Sequence, residues 1–194
     1  DCPGIKAPIV PEGTQGFQPY ARDEKRLARS WALPGTKGLE HRVGGLEKDF
    51  IKGTVSHDPM NHQRMTDVRE AKVKRVQEFI PQQEVYGDKE SDLLVVGWGG
   101  TYGHLLTSVH KMRDEGKSVS LCHFNYINPL PKNVKEIFGR YKKILVCELN
   151  MGQFANYLRM NFQEFNFMQF NKVQGLPFTV IELVDKFNQV LEGK

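Results

Sequence analysis

The sequence predicts an α/β fold, a mostly parallel sheet with helices on both faces. Between residues 91 and 194, short apolar runs alternate with segments of helical periodicity in the order β-α-β-α-β-α-β-α. Strands that alternate with helices of this size are typical of parallel sheets covered on both faces. The first run, Leu93-Leu94-Val95-Val96, is continuously apolar, which indicates a strand buried on both sides.

Capping residues, chain breakers and apolar runs in the sequence predict the elements that follow this strand. Thr101 can cap a helix that ends before Gly116. The apolar stripe of this helix is Leu105, Val109 and Met112. The next elements are a strand at 119–126 that ends at Asn128-Pro129-Leu130-Pro131, a short helix with Val134, Ile137 and Tyr141, and a strand at 144–147.

Two capping patterns predict the last two helices. Asn150 with Gln153 indicates one N-terminus, and Thr179 with Glu182 indicates the other. A strand at 167–173 lies between them. The apolar residues of the first helix are Phe154, Leu158, Phe162 and Phe165, and those of the second are Val180, Val184, Phe187 and Leu191, with Phe178 and Leu183 placed as a hydrophobic staple.

The sequence of residues 1–58 predicts no independently folded domain. They contain 13 Gly or Pro residues, against 15 in the longer stretch 59–194, and they show no apolar periodicity. Such a segment is either a disordered tail or an extended arm laid on another domain. Disordered tails are usually poor in aromatic residues, so the arm is favoured by Phe17, Tyr20, Trp31 and Phe50.

A connecting helix is predicted over residues 59–80. Asp58 is a good N-cap, and Pro59 suits the first helical position. The helix should be exposed and amphipathic and should end before Pro81. Its apolar stripe is Met65, Val68, Val76 and Phe79, with the stem of Lys72 lying along it.

Composition limits the classes of function. The chain has 27 basic and 23 acidic residues, a formal charge of +4, and no long basic stripe, so nucleic acid is not an expected partner. It has neither a run long enough to span a membrane nor a signal-peptide pattern, so we expect a cytoplasmic protein with no membrane contact. Because it starts at Asp1 instead of Met, we interpret it as part of a longer polypeptide. Three scattered cysteines indicate no disulfide framework, zinc site or cluster site.

The glycine-rich loop at residues 97–103 is the most prominent motif. It joins a strand to a helix, a position where backbone N–H groups bind anions. No acidic residue follows at the spacing of a dinucleotide site, and Trp98 and Tyr102 crowd the loop. A turn packed against another subunit is therefore preferred. The alternative is a free-standing module that binds a phosphorylated small molecule at Gly99 to Gly103 and Asn150 to Gln153.

Other candidate residues have both a functional and a structural interpretation. Glu148 and Asn150 could serve as acid and amide, although capping by Asn150 and Gln153 is preferred. Lys172 and Gln174 could meet an anion, although a strand end, a turn and a staple already explain this segment. His41 with Arg42, before Gly44 and Gly45, could face a carboxylate, although a solvated loop is preferred. We predict no catalytic, cofactor-binding or metal-binding residue. The expected subunit or domain contacts are His41, Arg42, Trp98, Gly99, Gly100, Thr101, Tyr102, Asn150, Gln153, Lys172 and Gln174.

Six motifs together resemble the alpha subunit of 2-oxoglutarate:ferredoxin oxidoreductase, and this chain resembles the C-terminal part of that subunit. They follow the family's order over nearly the whole chain, which makes the set specific although each motif is weak. The motifs are Gly38 to Lys48, Asp58-Pro59-Met60-Asn61-His62, Val96 to Gly103, Asn128-Pro129-Leu130-Pro131, Glu148 to Gln153, and Asn171 to Phe178.

The resemblance implies a transketolase C-terminal-like domain at 91–194, preceded by the arm and the connecting helix. It implies partners: the upstream domains of the same subunit, a beta subunit, ferredoxin through the holoenzyme, and an oligomer. The holoenzyme would use thiamine diphosphate, Mg2+, a [4Fe-4S] cluster and coenzyme A, none of them bound by this segment. The implied reaction converts 2-oxoglutarate and coenzyme A to succinyl-coenzyme A and carbon dioxide with reduction of ferredoxin, and the segment alone is expected to be inert.

Overall fold

The computed structural model describes residues 8–193, which form two compact units divided between Phe79 and Ile80. Cys2 lies outside the described residues. No helix within 8–193 is both long enough and apolar enough to cross a membrane.

The first unit consists of turns followed by one long helix. Residues 8–58 form three isolated β-bridges, Ile9 with Trp31, Arg22 with Arg29 and Lys48 with Val55. This agrees with the lack of periodicity in their sequence, while their role as an arm on another domain stays a prediction. Arg22 lies over the Phe50 ring at 4.7 Å and donates to the backbone oxygens of Tyr20 and Phe50.

Helix α1 spans Pro59–Arg75 and is extended by a 3-10 turn at Val76–Glu78. The predicted cap is confirmed, since Asp58 Oδ1 accepts from the backbone N–H of Met60 at 2.9 Å. Met65 in the predicted stripe is buried, whereas Val76 and Phe79 at its end are exposed. The stripe is therefore only partly covered.

The second unit is a four-stranded parallel sheet with strand order β2-β1-β3-β4. This confirms the predicted α/β class. The elements in chain order are β1 Leu93–Trp98, a 3-10 turn at Gly99–Thr101, α2 Tyr102–Asp114, β2 Val119–Phe124, α3 Val134–Phe138, β3 Ile144–Glu148, α4 Gln153–Asn161, β4 Phe167–Asn171 and α5 Val180–Glu192.

Helices cover both faces of this sheet, as predicted. Alternate residues of a strand point to opposite faces, so Leu94 and Val96 of β1 join one core and Leu93 and Val95 join the other. The first core is completed by α3 and α4, including Phe138 and Leu158. The second is completed by α2 and α5, whose buried apolar residues are Leu105, Val109, Met112, Leu183, Val184, Phe187 and Val190.

Within the second unit, the predicted cap is correct at α5 and incorrect at α2. At α5, Thr179 and Glu182 form the full capping box. At α2, Thr101 occupies the cap position, but its hydroxyl donates back to the Trp98 backbone oxygen at 2.9 Å and caps no helical N–H. The 3-10 turn at Gly99–Thr101 turns this side chain inward, where it is buried.

Candidate functional site

The carboxyl edge of the parallel sheet is the place where α/β folds hold their ligands. After β1 the chain crosses to β2 on one side, and after β3 it crosses to β4 on the other side. The crevice between the ends of β1 and β3 is therefore the topological switch point, at which ligands bind in open α/β sheets. The residues that end these two strands are Trp98 and Glu148.

The Glu148 carboxylate fills this crevice from within. Its side chain is only 1% exposed and is surrounded by hydrogen-bond donors. Oε1 accepts from the indole Nε1 of Trp98 at 3.1 Å and from the Asn150 amide at 3.1 Å. The backbone N–H groups of Phe154 and Ala155 donate to Oε1 and Oε2 at 2.9 and 3.0 Å. Four donors thus meet on one buried carboxyl group.

This arrangement occupies the α4 half, Asn150 to Gln153, of the anion site that the sequence suggested. A phosphate at a helix N-terminus binds the first free N–H groups of the helix. At α4 those of Phe154 and Ala155 already bind Glu148, and those of Gly152 and Gln153 donate to Asn150 Oδ1 at 2.7 and 3.2 Å. Asn150 therefore caps α4 as predicted, but together with Glu148. The proposed Asn150–Gln153 capping box is wrong, because Gly152 occupies the N-cap position.

The glycine-rich loop is shaped by close packing. A Cβ at Gly97 would collide with the Leu105 side chain and lie 2.8 Å from the hydroxyl of Thr101. Gly99 has φ of 59°, which favours glycine. The Trp98 ring packs against Phe154 with ring centroids 6.2 Å apart. The loop thus folds over its own core, while Tyr102 at its end is 49% exposed.

An open cleft lies beside the loop, at the end of β2. Its volume is about 790 Å³, and Gly99, Tyr102, His123 and Tyr126 line it together with residues 81–86. His123 Nε2 donates to the Gly99 backbone oxygen at 3.2 Å, and burial lowers the pKa of its imidazole. Among the described lining residues there is no Lys or Arg, so this cleft does not favour a phosphorylated ligand.

Two other predicted contact residues follow β4. The Lys172 ammonium is largely buried and donates to Pro177 O at 3.0 Å and to both carboxylate oxygens of Glu182. Its hydrogen bonds are satisfied within the domain. Gln174 and, at the start of α4, Gln153 are exposed at the same edge.

His41 and Arg42 belong to the first unit, whereas the other nine predicted contact residues belong to the second. Both line a cleft of about 630 Å³. His41 Nδ1 donates to the Leu39 backbone oxygen at 2.9 Å, and the ring packs edge-on against Phe17 at 5.6 Å. Lys52 also lines this cleft, although its sequence position gave no sign of it.

Comparisons with known proteins agree with the predicted family. The chain is 40% identical over 195 residues to the 2-oxoglutarate oxidoreductase subunit KorA of Mycobacterium tuberculosis, an alignment covering 99% of this chain and 29% of that subunit. It is 29% identical over 155 residues to subunit alpha of 2-oxoacid:ferredoxin oxidoreductase 2 from Aeropyrum pernix, covering 77% of this chain and 24% of the relative. No protein-family model matches.

A solved structure has the same fold. The 2-oxoglutarate:ferredoxin oxidoreductase from Magnetococcus marinus, solved with 2-oxoglutarate, coenzyme A and succinyl-CoA bound, superimposes with a TM-score of 0.83 and 26% identity. The alignment covers 94% of this chain and 32% of the Magnetococcus chain.

Fold and site together define a parallel α/β unit whose ligand crevice is closed by its own side chains. The chain is homologous to part of the alpha subunit of 2-oxoacid:ferredoxin oxidoreductases, and the resemblance found in its motifs is confirmed. It spans less than a third of the length of the relatives it matches.

Proposed function

We propose that the chain is the C-terminal docking and assembly domain of the alpha subunit of a 2-oxoglutarate:ferredoxin oxidoreductase. That enzyme would convert 2-oxoglutarate and coenzyme A to succinyl-coenzyme A and carbon dioxide, and the two electrons released would pass to ferredoxin. The proposal rests chiefly on the similarity to KorA, which runs along 99% of the chain.

The described residues, 8–193, do not supply the ligands that the metal ion and the iron-sulfur cluster of such an enzyme need. Within residues 8–193 no three His, Cys, Asp or Glu side chains are grouped so that they could hold a metal ion. Cys122 and Cys147 are buried on opposite faces of the sheet, which does not suit a cluster site. The α4 N-terminus, where a diphosphate could bind, holds Glu148. We expect thiamine diphosphate, Mg2+, the [4Fe-4S] cluster and coenzyme A to bind to other parts of the holoenzyme, and we expect the isolated chain to be inactive.

The carboxyl edge of the sheet is the proposed docking surface. Leu149 and Met151 follow β3, Val173 and Leu176 follow β4, and Ile181 lies in the first turn of α5, with exposed fractions from 38% to 74%. Apolar residues exposed together mark interaction sites on soluble domains. Upstream domains of the same subunit or the beta subunit would cover this edge. Ferredoxin would bind to the assembled oligomer and not to this chain alone.

Reconstitution with a beta subunit tests the proposal. The 194-residue chain alone should give no 2-oxoglutarate-dependent reduction of methyl viologen, whereas the complete alpha subunit with its beta subunit should be active. Turnover by the chain alone would refute the proposed role.

Two matched variants of the complete alpha subunit test the docking edge. Met151→Asp places a charge on that edge and should reduce both subunit co-purification and activity. Met160→Asp places the same charge at the opposite end of α4, where Met160 is 68% exposed, and should leave both unchanged. Equal effects of the two variants would argue against docking through this edge.

A further inference from the structure

The first unit contains a cleft with an excess of positive charge. Its volume of about 630 Å³ lies within the range of about 300–1,000 Å³ found for small-molecule sites. Residues 13–19, 38–42 and 52–55 supply its walls. The described lining residues include two basic side chains, Arg42 and Lys52, one imidazole, His41, and one carboxylate, Glu40.

Within residues 8–193 the two permanent cations of this cleft form no close ion pair, although the Lys52 ammonium attracts the nearby Asp49 carboxylate. Arg42 and Lys52 are exposed, and neither side chain makes a hydrogen bond or ion pair with any residue of 8–193. Elsewhere in the unit, arginines are engaged: Arg69 pairs with Glu47, and Arg75 donates to two backbone oxygens. A guanidinium with free N–H groups binds carboxylate or phosphate oxygens in a two-pronged geometry.

The imidazole of His41 is held so that one nitrogen stays available. Its Nδ1–H donates to Leu39 O at 2.9 Å, and the Phe17 ring packs against it. Nε2 is therefore the nitrogen left to meet a ligand. Phe17 and Val55 also line the cleft and offer apolar surface for a short carbon body.

Two internal features fix the walls of the cleft before any ligand arrives. The Lys48 side chain is buried, and its ammonium donates to Gly44 O at 2.5 Å and to Leu46 O, which holds the loop that follows Arg42. Gly53 has φ of 73°, and a Cβ there would lie 2.8 Å from the side chains of both Pro19 and Tyr20. Sites that are ordered in advance lose less entropy on binding.

We propose that this cleft binds a small dianion, either a dicarboxylate or a phosphate-bearing molecule, through Arg42 and Lys52. The two free cations match two negative charges, and Nε2 of His41 adds a hydrogen-bonding group. Carboxylate and phosphate share the oxyanion chemistry that these residues recognise.

Isothermal titration calorimetry of the 194-residue chain at pH 6, where glutarate and pyrophosphate are both chiefly dianions, tests this site with these two compounds, and acetate serves as a monoanion. At least one dianion should bind with a dissociation constant of about 1 mM or below, and acetate should bind at least about tenfold more weakly. Tighter binding of glutarate would identify the ligand as a dicarboxylate, and tighter binding of pyrophosphate would identify a phosphate compound. Absence of heat with both dianions at 20-fold higher concentration, about 20 mM, would overturn the proposal.

Charge-matched variants separate a built site from general attraction. Arg42→Gln with Lys52→Gln should weaken dianion binding by about tenfold or more, because two charge-assisted contacts are lost. Lys25→Gln with Lys72→Gln removes the same charge from exposed positions of the same unit outside the cleft and should change affinity by less than about twofold. Equal losses in the two double variants would refute the site. Because all four side chains are exposed, circular dichroism should show unchanged folding.

Discussion

Lys172, just after β4, donates from Nζ to both carboxylate oxygens of Glu182 in the first turn of α5, at 2.8 and 2.9 Å. Glu182 also accepts from the backbone N–H of Thr179 at 2.7 Å, which closes the capping box. The hydrogen bond from Lys172, followed by that from Thr179, lowers the pKa of Glu182 from 4.5 to about 2. One carboxylate therefore links the end of the sheet to the start of the last helix.

Replacing Glu182 by Gln should lower the free energy of unfolding at pH 7. The free energy of unfolding should also fall less steeply as the pH is lowered. A carboxyl whose pKa is lowered in the folded state stabilises the fold fully above its ordinary pKa of 4.5, and this contribution is lost as the pH falls toward 2. Urea unfolding at pH 7, 4.5 and 3, followed by Trp98 fluorescence in a Trp31→Phe background, measures the effect. Asp185→Asn on the exposed side of α5 is the control. If wild type and Glu182→Gln lost equal stability between pH 4.5 and 3, the assignment would be wrong.

Replacing Glu148 by Gln should destabilise the second unit by about 3 kcal/mol. All four groups that contact the carboxylate are donors, so the NH2 group of glutamine would face donors and leave buried N–H groups unpaired. Urea unfolding followed by circular dichroism gives the free energy. Asn150→Ala, which removes the cap of α4 and one of the four donors to Glu148 but leaves the carboxylate in place, should cost less, about 1–2 kcal/mol.

The exposed variant Glu90→Gln is the control for this charge change and should be neutral. A loss below about 1 kcal/mol for Glu148→Gln would mean that the network is not important for stability.

The sequence predicts the parts of the fold that depend on neighbours in the chain. β1 and β3 follow from their apolar runs, and the α5 cap follows from the spacing of Thr179 and Glu182. Thr101 was assigned wrongly as a side-chain cap, because the turn before it, which directs the hydroxyl inward, depends on packing around Gly97. Local rules do not include such packing.

The candidate site could be predicted only in part, for the same reason. Glu148 follows a strand and precedes a helix, which was a usable signal, but its bond to Trp98 joins residues 50 positions apart. Arg42 was singled out beside two glycines, while Lys52 reaches the same cleft through a turn closed by the Lys48–Val55 bridge. Long-range pairing of this kind leaves no periodic trace in the sequence.

Replacing Gly97 by Ala should destabilise the second unit by about 1–3 kcal/mol through overpacking. The added Cβ would overlap Cδ1 of Leu105, which is fully buried, so this side chain would have to shift within the core. Gly103→Ala is a matched control, because nothing lies within 4 Å of its Cβ position and alanine favours the helix by up to about 1 kcal/mol. Urea unfolding of both variants should show opposite signs. A neutral Gly97→Ala variant would contradict the close packing described for this loop.

Cys122 and Cys147 should react with thiol reagents only when the second unit unfolds. Both are buried on the sheet, and desolvation raises the pKa of each thiol well above its ordinary value, so almost no reactive thiolate forms at pH 8. In a Cys2→Ser background, Ellman's reagent should modify no thiol in buffer and two in denaturant. With reagent in excess, the rate of labelling at low urea concentrations should follow the equilibrium between the closed and the opened sheet. Glu148→Gln should therefore raise the labelling rate by about 100-fold, because a loss of about 3 kcal/mol in stability raises the opened fraction by that factor. Rapid labelling of either thiol in the native chain would contradict the burial of β2 and β3 between their two helical layers.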